Sequence, residues 1–187
     1  MTLITLAMGG AVYLGAINLR ASVVKSVDSL FGTQNFDMVV RFPVPHSADS
    51  LNTIVAGITG VAGIEGWNGA TAAVRRGDKS AGDAFPITAP PASTKMLVVP
   101  VLEGRWLRAA DRNPLVVNRK LVELEPSLGV GKKVTLTIRG RETTWTVVGI
   151  TDVVPSPAAY TSLEAIATLT DSGRVRALVI KSASPSS

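Results

Sequence analysis

The chain has no cysteine and a single histidine, His46, among its 187 residues. The first absence removes disulfides, thiolate nucleophiles and zinc–thiolate sites together; it names no compartment. The second leaves a nitrogen-based metal site short of ligands. A Ser-His-Asp triad would have to recruit His46, which Pro45 and Ser47 place in a loop, and no G-x-S-x-G elbow exists. Carboxylate pairs fare no better. Glu123 and Glu125 are two apart and point to different faces of a helix, and Asp78 and Asp83 lie in a turn-rich stretch. Gly131-Lys132 is not a phosphate loop, because that pattern needs glycine at position 126 and Ser or Thr at position 133, where the chain has Pro126 and Lys133. The sequence is read as non-enzymatic, with no cofactor and no metal.

Concentrated charge is also missing. Nineteen basic and 14 acidic residues give a net charge of +5, but the basic residues are scattered. Arg75-Arg76 and Lys132-Lys133 are the basic doublets outside an arginine-rich patch at 105–119. A nucleic-acid interface needs a Lys/Arg stripe with interleaved aromatics. A solvated basic surface accounts for this pattern, and no nucleic-acid partner is expected.

What is present begins with a charge-free run from Thr2 to Ile17. As a helix it is about 24 Å long at ~1.5 Å per residue, short of the ~20 residues that cross a bilayer. A signal peptide would need Lys or Arg before the run and a small-x-small site before Arg20; both are lacking. A buried helix would not need apolar residues on every face. Gly9, Gly10, Gly15 and Ala16 suit close packing in lipid, whereas in water each glycine costs ~1 kcal/mol. We favour the outer part of a first transmembrane helix, residues 1–20, with Leu3, Ile4, Leu6, Met8, Val12, Leu14 and Ile17 embedded in the membrane. From Ala21 the pattern becomes amphipathic. Val23, Val24, Val27, Leu30 and Phe31 share one face, and Arg20, Lys25, Ser26, Asp28 and Ser29 fill the other. One continuous helix to Phe31, stopped at Gly32, would leave the bilayer as a stalk over residues 21–34.

Residues 35–181 then form an α+β domain of mixed strands and short helices, in two lobes of roughly 35–95 and 96–181. Asn35–Phe42 alternates as a strand closed by Pro43 and Pro45. Asp49-Ser50 caps a helix over Leu51, Ile54, Val55 and Ile58. Ile64–Arg76 and Phe85–Thr88 are strands around a Gly77-Asp78 turn. Leu102–Leu107 turns at Gly104. Leu115–Asn118 is a short buried strand, and Asn118 caps a helix over Arg119–Leu124. Val134–Ile138 alternates strictly, turns at Arg139–Glu142 and returns over Thr143–Ile150. A short helix covers Leu163–Leu169, capped by Thr161 or Ser162, and Val175–Lys181 is the last strand. Trp67, Trp106 and Trp145 are expected as core or lobe-interface anchors. The segment Ala84–Met96, with Pro86, Pro90 and Pro91, is either a plain inter-lobe connection or a contact surface. Residues 182–187 are a polar linker; a second transmembrane span beyond it is implied only by the family resemblance that these elements carry.

Several of these strings resemble, in this order, the extracytoplasmic periplasmic core domain of MacB-like and FtsX-like ABC-transporter permeases. They are Asn18–Ser22, Phe36–Val40, Leu102–Leu107 with Asp111, Leu115–Asn118, Leu128–Leu136, Trp145–Ile150 and Tyr160–Leu163. Together they run from Asn18 to about Ile180 and have plain fold-determining reasons, such as glycine at Gly131 and Gly149 where the backbone needs freedom. The resemblance implies a permease domain outside the cell (inner) membrane, coupled through the stalk to cytoplasmic ATP hydrolysis. It would support substrate export or release, or regulation of a partner outside. Its implied partners are further transmembrane helices and an ABC ATPase subunit or domain, with room for a homodimer and for a periplasmic or outer-membrane partner. The competing reading is a lipid- or peptide-binding module anchored by one helix. If both ends join membrane spans, the strand Val175–Lys181 should finish near the base of the stalk.

Overall fold

The structure is a computed structural model that describes residues 13, 15–19, 32–152, 156–170 and 173–183, without the side chain of residue 56. Among the described residues nine strands and three short helices follow Gly32: β1 Met38–Ser47, α1 Ala48–Ala56, β2 Val61–Arg75, β3 Ala81–Ala89, β4 Val101–Gly104, β5 Pro114–Asn118, α2 Arg119–Leu124, β6 Lys133–Ile138, β7 Arg141–Thr151, β8 Ala159–Tyr160, α3 Leu163–Ile166 and β9 Arg174–Ser182. Residues 13 and 15–19 are helical, with Tyr13, Ile17 and Leu19 exposed. Among the described residues no helix is long and apolar enough to cross a membrane. The other expected membrane residues (Leu3, Ile4, Leu6, Met8, Val12, Leu14) and the stalk residues (Val23, Val24, Val27, Leu30, Phe31) lie outside the described residues, as does the expected continuous helix through them.

The organising strand is β2, which serves two sheets in turn. Its first half, Val61–Trp67, pairs antiparallel with β9, whose other edge takes β1. Its second half, Asn68–Arg75, pairs with β3 on one side and β6 on the other. From there the pairing runs β3 to β8, β8 to β5, β5 to β7 and β7 to β6, so the second sheet closes on itself as a six-stranded barrel. β4 adds an outer strand to β7.

Period-2 alternation explains how the barrel fills. Ala72 and Val74, Phe85 and Ile87, Leu115 and Val117, Val134, Leu136 and Ile138, and Trp145 and Val147 all point inward and are buried. The intervening residues Val116, Val148 and Tyr160 face outward, into a second core with Trp67, Met96, Leu97, Val99, Leu107 and Val179. That core joins the barrel wall to the three-stranded sheet. Each fully buried Leu or Val stabilises by about 1.5–3 kcal/mol.

Local chemistry fixes the turns. Arg139 (φ 49) and Gly140 (φ 76) form the left-handed pair that a two-residue hairpin requires. The Asn118 side chain accepts from Leu121 N at 3.0 Å and from Ala158 N at 3.1 Å, and its amide donates to Ser156 O at 2.6 Å. One buried residue thus caps α2 and pins the approach to β8. Ser162 caps α3, its Oγ accepting from Ala165 N at 3.1 Å.

The structure corrects several expected boundaries. β1 does not stop at the prolines. It runs on through Pro43, Pro45 and His46 to Ser47, with its register shifting between Arg41 and His46. It is an edge strand, where a residue without an N–H is tolerated, so His46 lies in a strand and stacks edge-on against Phe42 at 4.8 Å. α1 begins at Ala48 after Ser47, whose side chain makes no capping bond. β3 extends to Ala89, burying Phe85 and Ile87, so the connection after it starts only at Pro90. α3 ends at Ile166 rather than Leu169. β8 was not expected at all.

Candidate functional site

The most concentrated polar network outside the turns lies where the chain enters and leaves the domain. Val98 N donates to Thr33 O at 2.9 Å, Gln34 bridges Leu97, and Asn35 N donates to Met96 O at 2.9 Å. The Asn35 side chain serves two segments: its amide donates to Lys95 O at 3.1 Å, and its carbonyl accepts from Lys181 Nζ. Two residues on, Asp37 N donates to Ile180 O at 3.0 Å, and the Asp37 carboxylate accepts from Ser182 N at 2.7 Å. Ala183 N donates to Gly60 O at 2.8 Å. Residues 33–37 and 180–183 are therefore joined directly, with Gly60 and residues 95–98 bound on either side. We call this junction the neck. β9 ends against Asn35 and Asp37, within a few residues of where the stalk was expected to finish.

The neck is tied to the second core. Phe36 packs edge-on against Trp67, with ring centroids 5.6 Å apart and planes at 81°. Trp67 Nε1 donates to Glu65 Oε2 at 2.9 Å, Thr94 Oγ1 donates to the same oxygen at 2.5 Å, and Lys95 N reaches Glu65 Oε1 at 3.2 Å. Glu65 thus fastens the 94–98 segment to β2. Deeper in, Trp106 packs on Tyr160 at 5.5 Å, and burial pushes the Tyr160 phenol up from its ordinary pKa. Both ring pairs belong to the second core, which joins Phe36 to the barrel wall. Trp145 sits apart inside the barrel, 1% exposed, with Nε1 donating to Thr143 Oγ1 at 2.8 Å.

The other candidates separate. Glu123 pairs with Lys120 at 2.8 Å on the surface, while Glu125 is buried and receives Arg76 Nε at 3.1 Å and Arg76 Nη2. Asp78 accepts from both Ser80 N at 2.8 Å and Ser80 Oγ at 2.6 Å, a local turn bond that lowers its pKa. Gly131 has φ +79 and donates to Val147 O at 2.8 Å, a turn before β6. Arg105, which follows Gly104 at the turn, grips Asp111 with both ends of its guanidinium. Among the described residues no three His, Cys, Asp or Glu side chains converge as metal ligands. Sequence reasoning expected the last strand to finish near the stalk but named none of the neck's bonds, which join residues 60 to 146 positions apart.

Comparison with known proteins places this geometry. The fold is similar to the extracellular domain of the noncanonic ABC-type transporter YknZ from Gram-positive bacteria, with TM-score 0.57, 13% identity, and coverage of 79% of this chain and 83% of that one. It is also similar to the periplasmic region of MacB from Actinobacillus actinomycetemcomitans, with TM-score 0.61, 12% identity, and coverage of 87% and 82%. At these identities the likeness shows the fold alone. No curated protein sequence matches. The family model of the MacB-like periplasmic core domain matches residues 1–187. The chain therefore belongs to the MacB-like periplasmic core domain family of ABC transporter permeases.

Proposed function

We propose that this domain works on the outer side of the cell (inner) membrane as the moving part of a permease, driven through its neck by a cytoplasmic ABC ATPase. The observation that carries this reading is the direct bonding of entry to exit, Asp37 to Ser182 and Asn35 to Lys181. Two flanking segments that start from one point can both continue into neighbouring membrane spans. A displacement of one against the other would then act on the neck. Phe36, packed on Trp67, would pass that displacement into the core shared with the barrel. In this proposal Val23, Val24, Val27, Leu30 and Phe31 form the stalk and Ile17 lies toward the membrane. The load would be a substrate to export or release, or a partner outside.

These 187 residues hold no native cysteine, so a label attaches within them only where cysteine is introduced. Gln34 and Ala183 are both exposed, and replacing each with cysteine allows a nitroxide pair to be attached in the intact permease assembled with its ATPase. The inter-label distance should change when ATP is bound and return after hydrolysis. One unchanged distance distribution in the nucleotide-free, ATP-trapped and post-hydrolysis states would overturn the proposal.

A further inference from the structure

A second feature lies at the opposite end of β2. Where that strand finishes, a cleft of about 520 Å³ opens between the barrel and the segment after α2, within the ~300–1,000 Å³ range of binding sites. Arg75, Arg76 and Lys133 line it, against one lining carboxylate, Glu125. Two of these cations are held by carboxylates. Buried Glu125 takes two bonds from Arg76, and Glu142 meets Arg75 Nε at 3.2 Å. Lys133 has no ion pair among the described residues. Guanidinium forks present five N–H donors each, so orientation by one carboxylate leaves donors for another. Ser127 and Thr135 add hydroxyls, and Leu124, 47% exposed, gives the wall an apolar step.

We propose that this cleft binds an acidic, extended peptide segment of a protein partner. The charge complementarity is direct: fixed cations with spare donors beside an apolar step match carboxylates interleaved with apolar side chains. The net charge of +5 steers such a segment toward the domain. Position selects peptide over lipid. Fourteen residues separate Val61, beside the neck, from Arg75, about 46 Å along an extended strand at ~3.3 Å per residue. With the neck facing the membrane, the cleft lies at the end of β2 remote from the bilayer. That step alone rests on the proposed function; the charge argument does not.

The test is fluorescence anisotropy with a labelled hexaglutamate peptide against the full chain, with hexaglutamine and hexalysine as controls. Hexaglutamate should bind, weaken as salt is raised, and weaken about tenfold or more in the double variant Arg75→Gln/Lys133→Gln. Both positions are partly or fully exposed, so the variant should keep the parent's circular dichroism spectrum. With a second labelled peptide that alternates glutamate and leucine, Leu124→Ser should weaken binding about threefold, and Lys120→Gln, outside the cleft, should leave hexaglutamate binding unchanged. Equal binding of hexaglutamine, or no loss in the double variant, overturns the proposal. So does complete displacement by inorganic phosphate, or capture by phosphatidylglycerol vesicles through the same two residues, either of which marks a phosphate site instead. These assays do not touch the neck, whose role stands or falls on the inter-label distances.

Discussion

Arg105 and Asp111 close the turn after β4 with two parallel bonds of 2.7 Å each. The same arginine donates to Trp106 O at 3.1 Å, and Asp111 also accepts from Arg108 N at 3.0 Å. The side-chain bond from Arg105 is the main reason the Asp111 carboxyl is held below its ordinary pKa. A carboxyl depressed in the folded state contributes stability above its unfolded pKa of ~3.9, and that contribution is lost as pH falls through this value toward the folded one. Urea unfolding of Asp111→Asn should show stability lower by roughly 1–2 kcal/mol at neutral pH, with a shallower acid loss below about pH 4. Parallel pH profiles for the variant and the parent would refute the assignment.

The same turn depends on two glycines paired across β4 and β7, Gly104 and Gly149. Gly104 has φ +74, and a Cβ there would sit 2.3 Å from Val148 O; a Cβ on Gly149 would sit 2.3 Å from Arg105 O. Neither obstacle is a flexible side-chain end. Gly104→Ala and Gly149→Ala should each cost about 2–4 kcal/mol. Gly131 has φ +79 but open space around it, so Gly131→Ala should cost only the left-handed penalty of about 1–2 kcal/mol. Thermal melts should rank the three in that order, and an equal or larger loss at Gly131 would contradict the steric account.

Legibility in the sequence followed the range of the interaction. The strand Val134–Ile138, the hairpin after it and the Asn118 cap rest on neighbours within a few residues, so pattern alone located them, although the turn expected over Arg139–Glu142 is only the two residues Arg139 and Gly140. Barrel closure rests on β2 meeting β6, Ala72 against Ile138, and nothing in either segment names the other. Pro43 and Pro45 suggested a strand end because a central strand could not hold them, but β1 is an edge. β8, with two residues, is too short to carry periodicity. Glu125 was weighed only as a neighbour of Glu123, and nothing near it in sequence names Arg76, which folding brings from 49 positions away.

That pair yields a third prediction. Glu125 is 5% exposed, and its carboxylate lies against Gly82, where an added Cβ would come within 2.3 Å of Oε1. Removing Arg76 strands a buried charge, whereas removing both charges does not. Arg76→Gln should lower the melting temperature, and adding Glu125→Gln should recover part of the loss. A double variant less stable than Arg76→Gln alone would show that the carboxylate is not held by this arginine.

The neck supplies the last. Asp37 is exposed, and its main tie is the bond it accepts from Ser182 N. An exposed bond of this kind contributes about 1 kcal/mol, so Asp37→Ala should change global stability little. Locally the effect should be larger, because opening the neck exposes the amides it protects. Hydrogen exchange at Ser182 should quicken about five- to tenfold, at ~1.4 kcal/mol per decade. The informative amide is Ala183, whose bond to Gly60 O the substitution leaves intact. If entry, exit and Gly60 open together, Ala183 should quicken with Ser182. Acceleration confined to Ser182 would mean that the bonds of the neck break one at a time, and a junction of that kind could not transmit a displacement from one flanking segment to the domain.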